Sequence, residues 1–245
     1  KPVKKNKLLQ SIERVTHRFA YLSYQSTFGQ APAKVHLANK KTAHIFGSIS
    51  VGNGGDFFMP INDEGSAFIL GDMMGHGLQA LKESFAIKGF ISGFLATGLA
   101  YQDMLSALND ALYKQQLCKS SLVTLVICFL KDNKLYWLNA GHPAPVVIYK
   151  DGTVLQLTGT GPLLGLSKEH TYTLYEAELE NVEHLLVYTD GWTENRCADM
   201  NEIAELKKII PPHQDSAEEF AHLLWKNSQV ILSKEVDDAS LVIIN

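Results

Sequence analysis

The run SLVTLVICFL, residues 121–130, limits the fold more than any other stretch. It ends at the turn-forming Lys131-Asp132-Asn133. Its apolar residues fall at odd and even positions alike, so a strand built from it turns an apolar side chain to each face. Exposing either face to water costs roughly 25 cal/mol for each Å² of apolar surface. Such a strand must be covered on both sides, by a second sheet or by helices.

The rest of the chain supplies the covers. Short apolar runs at 44–51, 66–72, 134–141, 144–150, 153–159, 171–179, 184–191 and 240–245 are read as strands. Lys131-Asp132-Asn133 and Asp151-Gly152 are short enough to join neighbours as antiparallel hairpins. Helical spacing marks 77–97, 101–116 and 200–231, with Ser216 and Glu219 spaced as a capping box. Two helix pairs thus interrupt a series of strands. An α+β architecture follows, sheet on sheet with helices on the outer faces, although the pattern admits other layerings.

Composition excludes several classes. The formal net charge of −4 over 245 residues argues against a nucleic-acid binder that lives on phosphate neutralisation. No apolar run reaches the ~20 residues needed to span a bilayer, and no signal peptide is visible. Cys118, Cys128 and Cys197 form no CxxC pair, which points to reduced thiols and a cytoplasmic setting. Arginine occurs only at 14, 18 and 196, too few for a phosphate clamp. Lys1 in place of Met is read as the start of a fragment. Leu8, Ile12, Val15, Phe19 and Leu22 make a narrow apolar stripe. It suits a packed helix or a coiled-coil lever from an upstream sensor or receiver domain. Residues 1–30 are therefore taken as a linker or regulatory helix, and 31–245 as the main domain.

Acids recur at the ends of the apolar runs: Asp56 in GNGGDFF, Asp72 in FILGDMMGHG, Asp190 in HLLVYTDGWTEN, Asp237 and Asp238 in EVDDASLVII. A strand end fixes a carboxylate while leaving it accessible, and glycine permits close approach to the main chain. Converging carboxylates repel, and a hard divalent cation relieves that repulsion through oxygen ligands. One Asp-Gly pair usually marks only a turn; the four-fold pattern carries the argument.

In order, GGDFF, GDMMGHG, LNAGHPAPVVI, GPLLGL, LVYTDGWTE and DDASLVII resemble the metal-dependent phosphatases of the protein phosphatase 2C superfamily. The resemblance is to the bacterial branch typified by the stage II sporulation phosphatase, and it covers about 47–245. It implies an α-β-β-α sandwich of two antiparallel sheets flanked by helices. It implies two Mn²⁺ or Mg²⁺ ions at one end, with Asp72 bridging both and the Met73 carbonyl helping to bind one. Asp190 and Asp237 would complete the first ion's shell, Asp56 would serve the second, and Asp238 would be a neighbour. A water activated between the ions would attack the phosphorus of a phosphoserine or phosphothreonine in line. His76 is a candidate general acid, although its position departs from that of the acid histidine in eukaryotic relatives. His142, Asn139 and Gly141 are read as shaping a turn.

The family implies a phosphorylated regulatory protein as substrate, such as an anti-sigma antagonist, and a homodimer is a further expectation. One departure stands out. Met59 occupies the place of a second acid that the family carries three residues after the GGD aspartate. That change favours a rival reading, a pseudophosphatase that binds a phosphoprotein without cleaving it. A hydrolase of small phosphate esters is a third.

Overall fold

A computed structural model describes residues 33–37, 41–48, 54–62, 66–75, 78–115, 122–194, 202–212, 214, 216–229 and 238–245. The helix expected over 7–25, together with His76 and Asp237, lies outside these residues.

Eleven strands form two antiparallel sheets among the described residues. The five-stranded sheet runs β3 (Phe57–Asn62), β4 (Ser66–Met73), β5 (Val123–Lys131), β6 (Lys134–Ala140), β9 (Tyr175–Glu178). The six-stranded sheet runs β1 (Ala33–His36), β2 (Thr42–Ser48), β11 (Ala239–Ile244), β10 (Val182–Tyr188), β7 (Val146–Tyr149), β8 (Val154–Gln156). Helices α1 (Leu78–Leu95) and α2 (Tyr101–Gln115) cover the first sheet. Helices α4 (Glu202–Ile209) and α5 (Ala217–Gln229) cover the second, and α3 (Asp190–Glu194) is a short turn after β10.

β5 behaves as its composition requires. Val123, Leu125 and Ile127 pack under α1 and α2, whereas Val126, Cys128 and Leu130 pack between the sheets. It is the central strand of its sheet, so an apolar residue on either face finds a dry partner. Asp132 and Asn133 take φ of 50° and 60° at the β5–β6 turn. That is the left-handed pair a two-residue hairpin needs, and short polar side chains tolerate it. Thr153 N–H donates to Asp151 Oδ1 at 2.8 Å in the β7–β8 turn, where Gly152 sits at φ +81°.

Several elements differ from expectation: β1 has no counterpart in the sequence pattern, and the strands expected over 153–159 and 171–179 shorten to Val154–Gln156 and Tyr175–Glu178. The sequence pattern hides β3, because Pro60 interrupts it; proline is accepted there because β3 is an edge strand with Pro60 exposed. The helical stretch read over 200–231 is the second helix pair, α4 and α5, parted around Pro211 and Pro212, since proline cannot supply the helical N–H. At the start of α5, Ser216 Oγ accepts the Glu219 N–H at 3.4 Å, one half of the capping box. The strand expected over 184–191 stops at Tyr188, and the Thr189 carbonyl accepts the Trp192 N–H at 3.0 Å to open α3. Among the described residues, no helix is long and apolar enough to cross a membrane.

Candidate metal centre

Strand periodicity brings the polar groups together. Facing into the sandwich, β4 presents Phe68 and Leu70, and two residues further on Asp72. Its neighbour β5 presents Val126 and, two residues earlier, Thr124, which lies directly opposite Asp72 in the register. Across the core, β10 presents Leu185 and Val187, and Thr189 follows. β11 presents Ile244 and Val242, preceded by Ser240. The apolar stripes of four strands therefore run out at the same end, and a buried polar cap closes the sandwich there.

Asp56 enters this cap from the loop before β3. It is only 2% exposed. Its Oδ2 accepts the Thr189 hydroxyl at 2.8 Å and the Ser240 hydroxyl at 2.7 Å. Its Oδ1 is buried with no hydrogen-bond partner among the described residues. Burial, then the negative charge of Asp72, push the Asp56 carboxyl well above the usual carboxylate range, and Asp238 adds to the push. The Ser240 and Thr189 hydroxyls pull the other way.

The two glycines of GGD have a specific task. A Cβ on Gly54 would lie 2.6 Å from Asp238 Oδ2, and one on Gly55 would lie 2.6 Å from the Met73 carbonyl oxygen. The Gly55 N–H donates to Asp238 Oδ2 at 2.7 Å. The loop thus threads between the end of β4 and the start of β11, and only a backbone without side chains passes. Asp238 closes this loop.

Asp190 opens α3 immediately after Thr189. Its Oδ1 accepts the Gly191 N–H at 2.8 Å, and its carbonyl accepts the Thr193 hydroxyl at 3.0 Å. His142 is buried at the same end. Its Nδ1 shares a 2.9 Å hydrogen bond with the Thr124 hydroxyl. Its main chain is clamped by Asn139, whose Oδ1 accepts the His142 N–H and whose Nδ2 donates to the His142 carbonyl. The turn read into NAGHP is therefore a side-chain clamp, with Gly141 at φ +69°.

The donors fit a hard cation. They are oxygens only: a buried carboxylate oxygen without a partner, a second carboxylate close enough to raise its pKa, and a main-chain carbonyl facing the same loop. Among the described residues, no three acidic, histidine or cysteine side chains stand together as a group that could by itself hold a metal ion. Met59 does not face this cap. Directly opposite Ile69, it packs on the cluster under α1 and α2, on the other side of the sheet.

Thr124, Thr189 and Ser240 escaped the sequence reading. Their signal is weak but physical: each continues the inward-facing alternation of a strand by two residues, as a hydroxyl where an aliphatic side chain would otherwise stand.

Residues 62–245 match the family described as Stage II sporulation protein E (SpoIIE). The chain is 26% identical over 197 residues to the phosphoserine phosphatase RsbU of Bacillus subtilis (strain 168), covering 78% of this chain and 58% of that protein. It superposes with a TM-score of 0.69 on the PP2C phosphatase domain and regulatory fragment of SpoIIE from Bacillus subtilis, at 19% identity, covering 88% of this chain and 64% of that one. With RsbX in complex with magnesium the TM-score is 0.61 at 13% identity, covering 87% and 97%. The chain spans less than two thirds of RsbU and of the SpoIIE chain. The match over 62–245, joined to the two-sheet sandwich and its acidic end, makes the chain a member of the SpoIIE family.

Proposed function

We propose that this chain is a metal-dependent protein serine/threonine phosphatase. The observation that carries the reading is the Asp56 carboxylate, buried beside Asp72 and Asp238 with one oxygen left without a hydrogen bond. The likeness to a phosphoserine phosphatase and to a magnesium-bound relative supports it.

Asp56, Asp72, the Met73 carbonyl, Asp190 and Asp237 would hold two divalent ions, Mn²⁺ or Mg²⁺. When bound, such a pair supplies a water of lowered pKa and positive charge beside the phosphoryl group. The chain's own part is orientation. The β4 and β5 strand ends hold Asp72 against a stiff backbone, and the Gly54-Gly55 loop sets Asp56 beside it. The neutral His142–Thr124 pair adds no charge to the cap. His76 would give its proton to the leaving seryl or threonyl oxygen. The substrate would be a phosphorylated regulatory protein of the partner-switching kind, an anti-sigma antagonist by family analogy. Residues 1–30 would carry a signal from an upstream sensor or receiver domain, with the chain acting in the cytoplasm, as a homodimer.

A pseudophosphatase reading drew its support from Met59. That residue packs on the helix side of the sheet, against the cluster under α1 and α2.

The test is hydrolysis of an aryl phosphate with and without Mn²⁺, in the wild type and in Asp72→Asn. Activity should require added metal and drop ~100-fold or more in the variant. Equal turnover in EDTA would overturn the reading.

A further inference from the structure

Thr189 and Ser240 have no role in the reading above, yet both spend their hydroxyls on the same atom. They donate to Asp56 Oδ2 at 2.8 and 2.7 Å. The direction of the Thr189 proton is set by the backbone. Thr189 Oγ1 accepts the Ser240 N–H at 2.9 Å, so its own hydrogen is free to point only onward, to the carboxylate. The two strands are themselves locked at this level, because the Thr189 N–H donates to the Ser240 carbonyl at 3.0 Å.

We propose that Thr189 and Ser240 are positioning residues that assign the two oxygens of Asp56, tying Oδ2 to the protein and leaving Oδ1 for a divalent cation. The inference rests on the metal-dependent reading and deepens it. Two donors on one oxygen prevent the carboxyl from turning in its socket. The other oxygen is buried and has no hydrogen-bond partner among the described residues, the arrangement expected of a ligand atom whose partner is an ion. The donors belong to the ends of β10 and β11, whereas Asp56 leads into β3 of the opposite sheet. The latch therefore ties cation affinity to the registration of one sheet on the other. A shift between the sheets would release Oδ2 and loosen the ion without moving Asp72.

The test is titration calorimetry of the metal-stripped protein with Mn²⁺, on the wild type, Ser240→Ala, Thr189→Val and the hydroxyl-retaining Thr189→Ser. Melting of the metal-free forms is followed in parallel. Ser240→Ala and Thr189→Val should each bind Mn²⁺ about 10–100-fold more weakly, the usual effect of removing an orienting partner. Thr189→Ser should bind like the wild type. The double variant should lose less than the product of the single losses, since both hydroxyls serve one oxygen. Folded Ser240→Ala and Thr189→Val proteins with wild-type Mn²⁺ affinity would overturn the proposal, as would a loss confined to the melting temperature of the metal-free protein. A wild type that takes up no Mn²⁺ would sink the metal-centre reading itself, and this inference with it.

Discussion

The imidazole of His142 bonds to the Thr124 hydroxyl at 2.9 Å, and burial lowers its pKa to about 3. In the unfolded chain the same ring takes a proton near its ordinary value of 6.5. Between those values the unfolded state binds the extra proton. The contribution of His142 to stability is therefore fully present above pH 6.5 and is lost as the pH falls from 6.5 toward 3. The slope approaches about 1.4 kcal/mol per pH unit at its steepest. Urea unfolding between about pH 7 and pH 5 should show wild type weakening on acidification more steeply than His142→Gln, in line with that slope. His44, whose pKa burial also lowers, tilts both proteins alike and cancels in the comparison. Parallel pH profiles would refute the assignment. That His142 lies in a turn could be read from NAGHP and Pro143. That it is buried against a threonine 18 residues earlier could not, because sequence spacing carries no information on which strand end the ring meets.

At the level of elements, two glycines make opposite predictions. Gly71 lies opposite Phe57 in the β3–β4 ladder, and a Cβ there would sit 2.4 Å from the Phe57 ring. Phe57 is fully buried, so the ring has no room to retreat. Gly71→Ala should cost about 1–3 kcal/mol by overpacking. Gly89 is exposed on α1 with nothing within 4 Å of its added Cβ. Gly89→Ala should gain about 0.5–1 kcal/mol from the lower entropy cost of helical alanine. Chemical denaturation of both variants checks the pair, and a shared sign would contradict the packing described. The helices were legible because their apolar residues recur at helical spacing, and β5 was legible because both of its faces are apolar. β3 was not, since Pro60 reads as a breaker and only the sheet order reveals an edge where it is harmless. The second helix pair was legible in the same way, but the place where its two helices part, Pro211-Pro212, is one that the helical period on either side does not mark.

For the molecule as a whole, the acidic cap is a liability without its ions. The raised pKa of Asp56 means that the folded state keeps a proton which the unfolded chain releases above its ordinary value near 3.8. Its effect therefore erodes stability as the pH rises from there through the folded value. Calorimetry of the metal-free protein at neutral pH should find Asp56→Asn more stable than wild type, with Tm higher by about 2–4 °C for each kcal/mol relieved. Mn²⁺ at a hundred times its dissociation constant should stabilise wild type by about 2.7 kcal/mol by mass action, and the variant by much less. A less stable metal-free variant would argue against the repulsion. The sequence alone determined the α+β class, the helices and the acids at the ends of apolar runs, because alternation and helical spacing are local properties that burial enforces wherever the segment lands. It also carried the family resemblance, in short motifs whose order survives. Only the tertiary structure decided which sheet each strand joins, that Met59 faces the helices, and that hydroxyls 133 and 184 residues from Asp56 close on one of its oxygens. Those outcomes depend on non-local strand registry, which is set by the packing of two inner faces against each other and leaves no periodic trace in any one segment.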